Sequence, residues 1–324
     1  GGTGAEVGSS VQQTTDGGYI ITGHTNSWPT EDVYLIKTDG SGIEQWTKTF
    51  GGTDSDQGRS GQQTTDGGYI ITGYTMSFGN GMQDVYLIKT DGSGIEQWNQ
   101  TFGGLAGEMG YAVQQTTDGG YIITGSTDES MSGLTDVYLI KTDGSGIEQW
   151  TKTFGGGNDY YYGFSVQQTT DGGFIISGST LWADNGGIGS DVYLIKTDGN
   201  GDSLWTKTFG GTDLEQSSSV QQTTDGGYII CGQTGPFGSE DVYLIKTDGS
   251  GIEQWSKTFG GTGAEMGYAV QQTTDGGYII SGITDESMSG LTDVYLIKTD
   301  GSGIEQWTKT FGGGNDYYYG FSVQ

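Results

Sequence analysis

Acidic side chains dominate the residues that could carry chemistry. The chain has 324 residues, of which 40 are Asp or Glu and 12 are Lys or Arg, a formal charge of −28. Acids recur in one kind of segment, as Glu6, Asp54, Asp56, Glu108, Asp159, Asp213, Glu215, Glu265 and Asp316. Oxygen-rich loops of this sort suit calcium. Asp54-x-Asp56 comes nearest to a ligand ladder, although no segment has the dense Asp/Asn spacing of a dedicated site. The competing reading is a solvated acidic rim. Two carboxylates across a sugar would serve glycoside hydrolysis, but the acids here are abundant without forming a constellation. His24 is the one histidine and Arg59 the one arginine, so a His-ligated metal cluster is excluded, and a Ser-His-Asp relay or an arginine-rich sialidase site lacks its parts. Cys231, the one cysteine, stands where the other repeats have Thr22, Thr72, Thr124, Ser177 and Ser281, as a small buried side chain would. The expectation is a non-catalytic chain, with calcium as the one cofactor its loops would suit.

Large apolar side chains form a second set. Trp28, Phe78, Met131, Trp182, Phe237 and Met288 each sit in a segment that differs from repeat to repeat, and Tyr160-Tyr161-Tyr162 is the densest aromatic run. A ring of such groups with acids nearby would stack on carbohydrate or anchor a protein partner; alternatively they fold down and cap the elements beneath them. Eleven of the twelve bases are Lys at two repeated positions, Lys37 and Lys48 in the first repeat. With so little clustered positive charge there is no footprint for nucleic acid or anionic lipid. No apolar run approaches the ~20 residues that cross a bilayer, so membrane insertion is not expected.

The elements that hold these residues are repeated. Asp32 to Trp46, DVYLIKTDGSGIEQW, returns at 84, 136, 191, 241 and 293, and QQTTDGGYI places its Asp at 16, 66, 118, 171, 225 and 275. Periods in this range belong to solenoids and propellers. Ser10 to Thr15 and Tyr19 to Thr25 flank Asp16-Gly17-Gly18, a hairpin signal of the type I′ kind; Asp32 to Thr38 and Ile43 to Phe50 flank Asp39-Gly40-Ser41-Gly42, a second hairpin with a slightly longer loop. Val33-Tyr34-Leu35-Ile36 is apolar throughout, which marks a strand buried on both faces. One four-stranded sheet cannot bury both its faces, whereas six stacked around an axis can. The expected fold is therefore all-β, a β-propeller of six four-stranded blades forming a single domain over residues 1–324, with a straight stack of the same sheets as the alternative. Trp46, Trp98, Trp150, Trp205, Trp255 and Trp307 recur at one offset, as wedges between neighbouring blades would.

The pattern GG-x₅-G-x-S-x-Q-x₃-DGG-Y-I-I-T-G-x-T, followed by D-V-Y-L-I-K-x-D-G-x-G-x-x-x-W-x-x-x-F-G-G, resembles the SBBP family of β-propeller repeats over essentially the whole chain. The resemblance implies a bacterial or archaeal surface or secreted propeller, extracellular or at the cell surface, and assigns no catalytic residues. That family is usually described as seven-bladed, whereas six full repeats are present here. The Asp39-x-x-Gly42-x-x-x-Trp46 hairpin also resembles the repeat of quinoprotein dehydrogenases, which need eight blades and a cofactor site without candidate residues in this chain.

In an up-and-down sheet the two variable segments of each repeat emerge at one end and the two near-constant hairpins at the other. That is the layout of a binding face on a rigid scaffold. Residues 108–167 and 265–324 are nearly identical, and GGGNDYYYGFSVQ at 312–324 matches 155–167, a strand beyond the six repeats. It is expected to belong to a seventh blade or a longer array, to close the ring, or to pair with a neighbouring molecule and so build a homo-oligomer or polymer by strand addition. The sequence has no initiator Met and no signal peptide, and reads as a mature form or a fragment.

Overall fold

The computed structural model describes residues 5–26, 30–128, 133–181, 189–285 and 292–312. These hold 24 strands, four per repeat. The first sheet is made of β1 (Ala5–Gln13), β2 (Tyr19–Asn26), β3 (Val33–Thr38) and β4 (Glu44–Phe50), antiparallel and in chain order. The same arrangement recurs over 56–102, 108–154, 160–209, 214–259 and 265–311, here called sheets 2 to 6. Sheets 4 and 5 are also joined by one parallel bridge, Ser190 to Leu214. The chain divides into two compact units, residues 1–156 with sheets 1 to 3 and residues 157–324 with sheets 4 to 6.

Both hairpins differ from the expected two-residue type I′ turn and slightly longer loop, because they share one three-residue form. Gly17 N–H donates to Thr14 O at 2.8 Å and Thr14 N–H to Gly18 O at 2.9 Å; Gly42 N–H donates to Asp39 O at 3.0 Å and Asp39 N–H to Ile43 O at 2.8 Å. The glycine that closes each loop has positive φ, 83° at Gly17 and 79° at Gly42. A four-residue turn closed by a left-handed glycine is the commonest three-residue hairpin, and in it only that one residue needs positive φ. Asp39 Oδ1 accepts from Ser41 N–H at 2.8 Å and Ile43 N–H at 2.9 Å, which locks the turn from inside.

The hairpin end of each sheet is held by one buried lysine. Lys89 Nζ, 3% exposed as a side chain, lies 2.9 Å from Asp66 Oδ2, donates to Thr90 O at 2.8 Å and to Gln97 Oε1 at 3.4 Å. The glutamine reaches it because a β-bulge interrupts the pairing of the third and fourth strands at Lys89/Thr90. The Lys–Asp pair occurs in all six sheets, at 2.9 Å each time. A side chain on Gly68 would strike Thr90 O and the lysine amine, so the second glycine of the DGG motif is required for packing.

Third strands are the core, as their apolar run implies. In sheet 2 every residue of Asp84–Thr90 is buried. Within each unit a sheet packs on its successor. Ile20, Val33, Leu35 and Phe50 of sheet 1 cluster with Tyr69, Ile71, Tyr86 and Ile88 of sheet 2. Trp46 edges onto Tyr69, ring centroids 5.7 Å apart, and covers Gly94, where an added Cβ would lie 2.7 Å from the indole. Trp98, Trp205 and Trp255 repeat the contact with Tyr121, Tyr228 and Tyr278. The wedge role is met by these four tryptophans, each on the following sheet's tyrosine. Cys231 is fully buried in the core between sheets 5 and 6, and burial pushes its thiol pKa up.

Candidate functional site

Pairing Val33 with His24 and with Phe50 brings the loop after the second strand and the connection to the next sheet to the same end. Backbone hydrogen bonds then tie that end of one sheet to the next: Asp56 N–H donates to Glu31 O at 2.7 Å, Glu108 N–H to Gln83 O at 2.7 Å and Glu265 N–H to Glu240 O at 2.6 Å. Each of these donors is an acid from the connecting segment, and its side chain turns inward.

That inward turn corrects the reading of a solvated acidic rim. Asp56, Glu108, Glu215 and Glu265 are at most 5% exposed, whereas Asp54 and Asp213 remain on the surface. The buried acids are consumed by structural bonds. Asp56 Oδ2 accepts from Gly52 N–H at 2.8 Å and Ser77 Oγ–H at 2.7 Å, and its Oδ1 accepts from Thr75 Oγ1–H. Glu265 Oε2 accepts from Gly261 N–H at 2.8 Å and its Oε1 from Thr284 Oγ1–H at 2.8 Å. Asp54 and Asp56, the weak calcium candidates, thus sit in different surroundings, one exposed and one sealed. Among the described residues no three His, Cys, Asp or Glu side chains converge as metal ligands.

Each buried acid faces a second carboxylate, which sequence reasoning passed over. A methyl on Gly51 would collide with Asp32 Oδ1 and Asp56 Oδ2. Gly103 lies in the same way between Asp84 and Glu108, Gly210 between Asp191 and Glu215, and Gly260 between Asp241 and Glu265. Burial, reinforced by the neighbouring carboxylate, raises the pKa of Asp32, Asp191 and Asp241. Asp84 is raised by burial and by Glu108, against the opposing bond from Asn80 N–H. The aspartate that opens the DVYLIK block and the acid before the next first strand were the available signal: they recur together across the glycine pair of the FGG motif.

Beside this pair two equivalent clefts open. One, of about 330 Å³, is lined by Gly103, Gly104, Leu105, Glu108, Thr127 and Tyr138; the other, of about 300 Å³, by Gly260, Gly261, Thr262, Glu265 and Tyr295. Each offers a tyrosine, a buried glutamate and bare glycine backbone.

Of the loop residues read as a binding ring, Trp28, Met131, Trp182 and Met288 lie outside the described residues. Phe78 folds partly down, its ring 5.7 Å from Tyr86 and its N–H bonded to Thr75 Oγ1 at 3.1 Å. Tyr161 packs on Tyr193 at 5.3 Å. Phe237 projects instead, 86% exposed. His24 and Arg59, the two singletons, lie close enough for their charges to matter. Burial lowers the His24 pKa, Glu31 opposes that and Arg59 adds to it. Glu31 accepts from Ser55 Oγ–H at 2.9 Å and from Gln57 Nε2–H, and Arg59 stands 6.0 Å over the Tyr74 ring.

No family model matches the sequence. A segment is 26% identical over 175 residues to the regulatory protein FlaEY of Caulobacter vibrioides, covering 47% of this chain and 18% of that protein. Among solved structures, Sqt1 of Chaetomium thermophilum is similar with a TM-score of 0.53 at 8% identity, covering 94% of this chain and 73% of its own. The WD40 domain of Neurospora crassa Pan2 gives 0.51 at 8% identity, over 90% and 88%. Identities this low speak for fold alone: the chain is an all-β repeat protein of four-stranded antiparallel sheets, similar in fold to WD40-type β-propeller proteins.

Proposed function

We propose that the chain is a non-catalytic β-propeller module of six blades, a structural or adhesive part of an extracellular or cell-surface protein of the SBBP type. The observation that carries this reading is how each sheet divides its tasks. The hairpin end repeats one set of bonds six times, from the Lys–Asp pair to the locked turn, while the opposite end carries loops that differ in length and content and, at Phe237, push an aromatic ring into solvent. A constant frame with variation confined to one end serves presentation better than turnover. Absence of catalysis is further supported by the inward acids, whose oxygens are occupied by backbone and hydroxyl donors. Assembly through the strand at 312–324 belongs to the same reading, as does calcium at Asp54. Labelling intact cells with an antibody against the loops tests the location, and an unlabelled surface would sink it.

The two clefts favour a second reading, a lectin-like module that takes a sugar or a protein side chain at the loop end. Their volumes reach the lower range of small-ligand sites, and a tyrosine beside a carboxylate suits a hydroxyl-rich ring. Binding on a glycan array that is lost in Tyr138→Ala and weakened in Phe237→Ala supports it; an empty array counts against it.

A further inference from the structure

The loop end of a sheet carries a seat that the chain itself fills with an aromatic ring in sheets 2 and 4. The seat combines the tyrosine of the DVYLIK block, the second glycine of the preceding FGG motif, and the first-strand residue paired with a threonine near the end of the second strand. In sheet 2 these are Tyr86, Gly52 and Asp56, the last paired with Thr75. Phe78 lies over them. Its ring centroid is 5.7 Å from that of Tyr86 with a tilt of 41°, and its Cζ would be 3.3 Å from a Cβ on Gly52. Tyr86 is sealed, 2% exposed. In sheet 4 the ring comes from the first strand instead. Tyr161 pairs with Thr180, the register at which Asp56, Glu108, Glu215 and Glu265 meet their threonines. It packs on Tyr193, the counterpart of Tyr86, with centroids 5.3 Å apart and a tilt of 58°. Two different positions of the chain thus deliver a ring to the same kind of tyrosine.

In sheets 3 and 6 the same seat opens into the two clefts. Its members there are Tyr138, Gly104 and Glu108, and Tyr295, Gly261 and Glu265. Among the described residues nothing lies within 4 Å of a Cβ on Gly104 or Gly261, and both tyrosines are half-buried. The carboxylates are already engaged. Glu108 Oε2 accepts from Gly104 N–H at 3.0 Å and its Oε1 from Thr127 Oγ1–H at 3.2 Å, and Glu265 is held in the same way by Gly261 and Thr284. A sugar would bring hydroxyls to polar groups that are committed to one another, whereas an aromatic ring asks only for apolar surface and a tilted partner ring.

We propose that the clefts of sheets 3 and 6 each take an aromatic side chain of a protein partner, laid on Tyr138 or Tyr295 as Phe78 is laid on Tyr86. The inference rests on the second reading above and narrows its ligand, from a sugar or a side chain to an aromatic residue in a basic segment. Positive flanks follow from the charge of −28, which draws cationic segments to the chain. Residues 108–167 and 265–324 are nearly identical, so the clefts are two copies of one site, one in each unit.

The test is calorimetric titration of the full chain with the end-blocked pentapeptide Lys-Gly-Phe-Gly-Lys. Two equal sites per chain are expected, and the same peptide with Ala in place of Phe should bind at least about tenfold more weakly, as loss of a central anchor does. Tyr138→Ala should leave one site. Gly104→Phe, which lays a ring in the cleft from the chain's own backbone, should do the same with circular dichroism unchanged. Phe78→Ala should add a third site by uncovering Tyr86, the opposite of what a ligand-gripping Phe78 would give. Equal binding of the Phe and Ala peptides, two sites surviving in both cleft variants, or sites lost in Phe78→Ala would each overturn the proposal. A positive glycan array beside a failed peptide titration would overturn it too and return the clefts to sugars. Failure of peptides and glycans alike would overturn the lectin-like reading with it.

Discussion

The residues that repeat most faithfully are ionic, and their protonation sets two opposing trends. Burial alone would raise the carboxyls of Asp66, Asp118, Asp171 and Asp225, yet bonds from a threonine, the buried lysine and a glycine N–H outweigh it and hold each at about 2. These are depressed relative to the unfolded value of about 4. Their stabilisation is therefore complete above pH ~4 and disappears as the pH falls through ~2. Asp66→Asn should cost on the order of 1 kcal/mol at pH 7, because the carboxylate is half-exposed and screened, and the difference from wild type should close in urea melts near pH 2. The inner pair acts oppositely. Asp241 is raised by burial and by Glu265, so its ionisation strains the fold increasingly as the pH rises above its unfolded value. Asp241→Asn should raise the melting temperature at pH 7 and give no gain below pH ~3.5; a gain that persists in acid would contradict a charge origin.

Elements gain their stability from what lies on either side. A four-stranded sheet with a third strand as apolar as Val85-Tyr86-Leu87-Ile88 is incomplete without a neighbour on each face. Equivalent substitutions should then differ in cost by position. Phe102→Ala, in the core between sheets 2 and 3, should cost about 3 kcal/mol. Phe311→Ala, at a ring that is 55% exposed, should cost no more than about 0.5 kcal/mol. Chemical denaturation of the two variants checks this, and equal costs would mean that the Phe311 ring is buried after all. Gly260→Ala, which forces a methyl between Asp241 and Glu265, should cost about 1–3 kcal/mol through overpacking.

For the whole chain, charge and repetition decide behaviour. A net −28 repels itself, so raising NaCl to about 0.5 M, where the Debye length falls well below 10 Å, should raise the melting temperature; no rise would mean the acids are already neutralised by partners. Much of this was legible beforehand. The period announced the sheets, the alternation of apolar run and DG turn announced the strands, and the fixed Trp offset announced a contact between neighbours. These are local or periodic constraints, and strand pairing and turn chemistry act over the few residues that a motif spans. What the linear order left open was which side of a sheet each acid faces. Asp54 and Asp56 look alike in sequence, yet one is in water and the other is sealed under Thr75 and Ser77, because the connection between sheets turns through the glycines and carries only the second acid inward. The meeting of Asp32 with Asp56 and of His24 with Arg59 are likewise facts of stacking: each depends on groups from two sheets reaching the same few ångströms, and no spacing along one repeat encodes that distance.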